Sequence, residues 1–186
     1  MEDFKPLISE CLAGNQKALA ELYHHFAPKM FGVCLRYAKD STEAEDNLQD
    51  GFIKVFANLK TFRNAGSLEG WIRRIIINVS LEKIRKQHLM YPVEDVSIYD
   101  TINFSDDVIA KISADDLMKI IQELPPRYRL VFNLYVMEGM SHQEIAQEMS
   151  ITQGTSKSNL ARAREILKRK VHETFGELKA QNNFTA

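Results

Sequence analysis

Residues 124–171 read LPPRYRLVFNLYVMEGMSHQEIAQEMSITQGTSKSNLARAREILKRKV, and this stretch decides the fold of the C-terminal half of the chain. Pro125 and Pro126 fit only the opening of a helix, after which Tyr128, Val131, Phe132 and Tyr135 recur at helical spacing until Gly139 stops them. Ser141 and Glu144 form an S-x-x-E capping box, so a short helix starts there with Ile145, Ala146 and Met149 on its inner face. Ser150, Ile151 and Thr152 make a turn. A long helix follows, with Leu160, Ala163, Leu167 and Val171 inside and the stripe running on to Phe175 and Leu178. Short capped helix, tight turn and long helix together read as a helix-turn-helix.

Projected at about 100° per residue, the long helix turns Thr155, Ser158, Asn159 and Arg162 away from that apolar stripe, with Lys157 on the flank. Such side chains hydrogen-bond base edges or phosphates. Gly154, second in the helix, lets backbone N–H groups approach a phosphate where the helix dipole already favours an anion. Lys157 to Lys170 carries six basic residues and one acid. A charge run alone is usually a solvated face; behind a capped helix and a tight turn it points to DNA.

These residues resemble a known family. E-I-A at 144–146, G-T at 154–155, K-S at 157–158 and R-A-R at 162–164 are similar to the promoter-reading C-terminal region of bacterial RNA polymerase sigma factors of the extracytoplasmic function (ECF) type, in the sigma-70 family. Ala44, Glu45, Asp46, Gln49, Asp50 and Phe52 resemble that family's A-E-D-x-x-Q-[DE]-x-F pattern. Trp71, Ile72, Ile75, Asn78 and Arg85 resemble its W-[IL]-x-x-I-x-x-N pattern with a downstream Arg. The three motifs stand in the expected order and the resemblance covers nearly the whole chain. Two positions depart from it: Ser156 replaces a small apolar residue of the inner face, and Asn159 stands where a basic residue is common. Asn suits adenine and Arg suits guanine, so the departure at 159 implies a different base preference; Ser156 is expected to cost a little packing or to bond a carbonyl of the preceding turn.

Composition agrees. A chain of 186 residues, 45% hydrophobic, can bury one core or two small ones. Its net charge of −1 is low for a DNA-binding protein, but the acid is concentrated centrally: Lys+Arg against Asp+Glu is 13 to 11 over residues 1–90, 2 to 7 over 91–121 and 9 to 7 over 122–186. Cys11 and Cys34 lack metal-ligand spacing and sit on apolar helical stretches, which reads as buried thiols in a reducing compartment, with no metal and no cofactor. The N-terminus has no signal-peptide pattern and no stretch reaches membrane-spanning length, so a cytoplasmic protein without membrane insertion is expected.

The fold expected is all-α: two small helical domains joined by an acidic flexible linker, the second containing the helix-turn-helix. The boundaries are residues 1–90, a linker at 91–110, and 111–186. In the first domain a helix over Phe4–Ala13 closes at Gly14, and Asn15 caps a second with Leu19, Leu22, Tyr23 and Phe26 inside. Pro28 bends or restarts that helix, and Met30, Val33 and Tyr37 continue its pattern. A third begins at Asp40 with Glu43, or at Ser41 with Ala44, and buries Ala44, Leu48, Phe52, Val55 and Leu59. A loop over Thr61–Ser67 leads to a fourth, Leu68 to about Gln87.

The third helix has a second stripe, Asp46, Gln49, Asp50, Ile53 and Phe56, which mixes acids with apolar side chains in the manner of a docking surface. The resemblance implies that it binds the clamp helices of the polymerase beta-prime subunit, and that the beta flap, promoter DNA and an anti-sigma factor are further partners. The fourth helix is apolar almost all round except for a polar stripe from Trp71 through Arg74, Asn78 and Arg85, which must face water or a partner. By resemblance this helix and the loop residues Phe62, Arg63, Asn64 and Ser67 hold the melted −10 region, with Arg73, Lys83 and Lys86 adding charge. Trp71 reads equally as a core residue or a stacking platform. By the same resemblance Gly154, Thr155, Lys157, Ser158, Asn159 and Arg162 read the −35 element.

Two other classes fit parts of the chain. A helix-turn-helix regulator acting without polymerase lacks a reason for the N-terminal motifs. An enzyme using His24 and His25 lacks a nucleophile, a phosphate loop or a metal cluster, and adjacent histidines diverge by about 100° on a helix.

Overall fold

The computed structural model describes residues 3–63, 66–88 and 113–182, with side chains to 86 in the second stretch and to 174 in the third. Every regular element among them is helical. The expected linker, Asn64, and the side chains of Phe175 and Leu178 lie outside the described residues. The chain divides into two compact units, Met1–Gln87 and His88–Ala186.

In the first unit α1 spans Lys5–Leu12 and ends at Gly14, whose φ of +81° is open to glycine at little cost. The Asn15 side chain then accepts the N–H groups of Lys17 and Ala18 at 3.0 and 3.4 Å and starts α2, Gln16–Tyr37. Pro28 neither breaks nor restarts α2. Its ring is exposed, and the carbonyl one turn back, at His24, sits on a residue that is also exposed, so water can take the place of the missing donor. Of the two caps the sequence offers for α3, Ser41–Asn58, Asp40 is used: its Oδ1 accepts Glu43 N–H at 2.8 Å while Glu43 accepts Lys39 N–H at 2.7 Å. A 3-10 turn over Leu59–Thr61 follows, then α4, Leu68–His88.

The core of this unit is Leu22, Phe26, Met30 and Val33 of α2, the expected stripe of α3, and Ile72, Ile76 and Val79 of α4. Each large side chain removed from water contributes about 1.5–3 kcal/mol. Leu19 and Tyr23 are only half-buried. Gly51 sets the approach of α3 to α4: a Cβ there would lie 2.2 Å from Ile76 Cδ1. Outside the core, Lys83 pairs with Asp50 at 2.6 Å, and Glu82 accepts both Lys54 at 2.7 Å and Lys86 at 2.9 Å. The hydrogen bonds from Lys54 and Lys86 hold the Glu82 carboxyl down to about 2. Cys11 and Cys34 are buried, and burial pushes the Cys34 thiol up to about 12.

The first helix of the second unit among the described residues is α5, Ala114–Gln122, which the sequence did not single out. Ser113 caps it by accepting Asp116 N–H at 3.1 Å, and Ile120, Ile121 and Leu124 are buried. Next comes α6, Pro126–Phe132, continued by one π-helical turn over Asn133–Met137. The buried Arg129 side chain donates from Nη1 to the Gln122 carbonyl at 2.7 Å, which caps the end of α5. The π turn inserts a residue into the expected 3.6-residue pattern, so that Phe132 and Met137 both pack on the core while Val136 is exposed. Then come α7, His142–Met149, and α8, Gln153–Asn182. Ile120, Ile121, Leu124 and Tyr128 meet Ala163, Ile166, Leu167 and Val171 of α8.

Candidate nucleic-acid interface

The helix-turn-helix is built by three local devices. The capping box is present: Ser141 Oγ accepts Glu144 N–H at 3.2 Å, and Glu144 accepts Ser141 N–H at 2.8 Å. Those bonds from Ser141 hold the Glu144 carboxyl below its ordinary value. Ser150 closes α7 in the left-handed region, φ +53°, ψ +44°, the only non-glycine to do so among the described residues. Thr152 then caps α8, its Oγ1 accepting Thr155 N–H at 3.0 Å and lying 2.9 Å from Thr155 Oγ1. Ser158 Oγ donates to the Thr155 carbonyl at 3.0 Å. Both hydroxyls keep lone pairs but already have a partner within the chain.

On α8, Gly154, Lys157 and Ser158 are exposed, and Thr155 and Arg162 are half-buried. Gly154 meets nothing nearer than Thr152 Oγ1, at 3.6 Å from a built Cβ, so its outer side is open. Asn159 is the correction. It is 5% exposed, on the inner face with Ser156 and Ile166, where it cannot reach a base. The inner face of α8 is wider than the stripe Leu160, Ala163, Leu167 and Val171 indicates, taking in Ser156, Asn159 and Ile166 as well. The true outer face runs through Gly154, Ser158 and Ala161, flanked by Lys157 and Arg164.

Ser156 behaves differently from expectation as well. It is fully buried, and its Oγ lies 2.9 Å from His142 Nδ1 at the start of α7 instead of bonding a carbonyl of its own helix. The His142 ring stacks on Tyr135 of the π turn, centroids 4.6 Å apart at 24°, and the Arg164 guanidinium stands 5.8 Å over the same Tyr135 ring. Partial burial, then the charges of Lys157 and Arg164, push the His142 pKa down. No motif signalled this cluster; Ser156 alone marked it, as a hydroxyl on an apolar face.

In the first unit Trp71 is half-buried, and its ring centroid is 5.5 Å from that of Phe62, so both of its readings keep a foothold. Arg74, Asn78 and Arg85 are exposed along one side of α4, and Arg63 is exposed in the loop. Ser67 caps α4 by accepting Gly70 N–H at 3.0 Å, a structural duty the motif did not announce. Lys83 and Lys86 are engaged off the Arg74–Asn78–Arg85 stripe: Lys83 reaches across to Asp50 of α3, and Lys86 pairs with Glu82 one turn back on α4 itself. On α3, Asp46, Gln49 and Asp50 are exposed and Ile53 is 66% exposed, while Phe56 is half-buried with its ring 5.9 Å from Phe52.

Among the described residues, no cluster of three or more His, Cys, Asp or Glu is arranged to hold a metal, and no helix is long and apolar enough to cross a membrane. What the two units do offer is helical faces: a basic second helix after a tight turn, and a paired acidic and polar surface on α3 and α4. That is the layout of a DNA-binding protein that also docks a partner.

Comparison with known proteins gives the same answer. Residues 22–89 match the model of sigma-70 region 2, and residues 114–167 match that of sigma-70 region 4. The chain is 30% identical over 177 residues to the ECF RNA polymerase sigma-E factor of Escherichia coli, covering 89% of this chain and 92% of that protein. It is 27% identical over 181 residues to the ECF sigma factor SigW of Bacillus subtilis, covering 91% and 97%. Among solved structures it resembles the sigma factor RpoE in complex with the anti-sigma factor NepR from Bartonella quintana, with a TM-score of 0.49, 23% identity, and 82% and 96% of the two chains covered. The chain belongs to the ECF sigma factors of the sigma-70 family, which direct promoter-specific initiation by RNA polymerase.

Proposed function

We propose a division of labour among the parts of this sigma factor. Residues 1–90 dock the polymerase core and hold the melted −10 region, residues 91–110 are a linker, and residues 111–186 read the −35 element. Asp46, Gln49, Asp50, Ile53 and Phe56 meet the beta-prime clamp helices, and the second unit meets the beta flap. The protein catalyses nothing itself and acts in the cytoplasm.

The observation that carries this reading is the outer face of α8. A helix capped by Thr152 begins with an open Gly154 and presents Lys157, Ser158 and Ala161 outward, Arg162 and Arg164 flanking. Backbone N–H groups at such a start attract a phosphate, and a small residue such as Ala161 lets the helix sit deep in a groove. On α4, Arg74, Asn78 and Arg85 form a strip that suits a single strand, with Phe62 and Trp71 at its end as aromatic surfaces for an unstacked base. Reconstitution with core polymerase, followed by sequencing of transcript starts from a random promoter library, tests the whole reading. Starts that share a −35 and a −10 sequence support it; starts without any shared sequence overturn it.

A further inference from the structure

We propose that His142 and Ser156 are positioning residues that fix the recognition helix α8 at the angle from which it discriminates one −35 sequence from another. The proposal rests on the reading of α8 given above. The two residues bridge the two helices of the motif by a polar contact: Nδ1 of the first residue of α7 to Oγ of the fourth residue of α8, 2.9 Å.

The surroundings make this bridge stiff. Ser156 is fully buried, so its hydroxyl has no water to turn to, and a buried hydroxyl that loses its partner carries its full desolvation cost. His142 cannot swing away freely, because its ring is stacked on Tyr135 at 4.6 Å and 24°. Tyr135 is itself set by the π turn Asn133–Met137, and it carries the Arg164 guanidinium of α8 over its ring. Tyr135, His142 and Ser156 therefore form a continuous strut from α6 through α7 to α8, closed by Arg164. The outward residues Lys157 and Ser158 immediately follow Ser156. A rotation of α8 about its axis, which an apolar contact at 156 tolerates, would carry Lys157 and Ser158 out of register with the bases they face. A directional hydrogen bond resists that rotation, since it weakens steeply off-axis.

The test uses full-length protein reconstituted with core polymerase and two duplexes: the −35 sequence that the wild-type holoenzyme selects from a random library, and a scrambled version of it. Ser156→Ala removes the hydroxyl, and His142→Phe keeps a ring against Tyr135 but removes Nδ1. Each is expected to lower the ratio of selected to scrambled binding about 3- to 10-fold, and the double variant no further than the worse single one. Because His142 is only half-buried, His142→Phe keeps the test open if Ser156→Ala fails to fold. Unchanged discrimination overturns the proposal. So does an equal loss on both duplexes, which is a general effect on folding or charge, and so do losses that add in the double variant. A wild-type holoenzyme that selects no sequence at all overturns the functional reading beneath it.

Discussion

Lys83 Nζ on α4 lies 2.6 Å from a carboxylate oxygen of Asp50 on α3. The proposed polymerase-docking helix and the proposed −10 helix are thus tied by an ion pair as well as by the close approach at Gly51. Half of the acid offered to a partner is already engaged by the chain's own lysine. Docking at Asp50 must therefore exchange one partner for another, or use the pair as a unit.

Asp50→Lys sets two lysines against each other. Exposed pairs are worth about 0–1 kcal/mol, so the melting temperature is expected to fall only slightly. Affinity for core polymerase, measured by titration, should fall at least ten-fold, and more steeply at low salt. A variant that binds core as well as wild type removes Asp50 from the docking face.

On α8, Asn159→Arg is expected to destabilise the second unit by several kcal/mol, because it places a charge in a site that is 5% exposed. Lys157→Ala should instead leave thermal unfolding unchanged, weaken binding across all sequences, and reduce the slope of log affinity against log salt by about 1. If Asn159→Arg folds with wild-type stability and alters the selected −35 bases, the inner face has been assigned wrongly.

Opening of DNA is separable from docking through Arg74 and Asn78. Replacing both by Ala should leave core binding intact and lower open-complex formation, read as permanganate reactivity of unpaired thymines. A template already mismatched across the −10 region should recover most of the lost transcription, since unpairing costs a few kcal/mol that the protein no longer has to supply. An equal defect on the mismatched template would assign the stripe another role. Ser67→Ala is a poor probe of opening, because loss of the α4 cap costs about 1 kcal/mol by itself.

His142 makes stability depend on pH. Its pKa is lowered in the folded state, by partial burial and then by Lys157 and Arg164, so the unfolded chain takes up its proton at a higher pH than the folded one. Its contribution is present above the ordinary value of 6.5 and is lost as pH falls from there through the folded-state pKa. Urea unfolding at pH 7.5 and pH 5.5 should show a larger fall for wild type than for His142→Phe. Equal falls would show that His142 titrates alike in the two states.

Cys34 should be inert. Its thiol is fully buried and its pKa is pushed up to about 12, so almost no thiolate exists at pH 8. Alkylation should be slow in native protein and fast in denaturant, and prompt native labelling at Cys34 would mean that α2 opens readily.

The sequence by itself determined the elements and most of the inner faces. Asn15, Asp40, Ser141 and Glu144 are caps whose chemistry acts over three or four residues, and the stripe Ala44, Leu48, Phe52, Val55 and Leu59 follows from helical period alone. Local bonds and fixed spacing need no knowledge of the rest of the chain. The order of three motifs added the family, and with it the candidate faces on α3, α4 and α8. Only the tertiary structure decided how each face is rotated and which polar groups are spent within the chain. Asn159 is buried because the elements packed on α8 cover more of it than four apolar residues indicated; Ser156 turns to His142 because α7 delivers a ring nitrogen 14 residues away; Lys83 turns to α3 because Asp50 lies within reach, while Lys86 pairs with Glu82 one turn back on its own helix. Period gives the angle of a side chain about its own helix axis, but burial and pairing depend on what another helix brings to that angle.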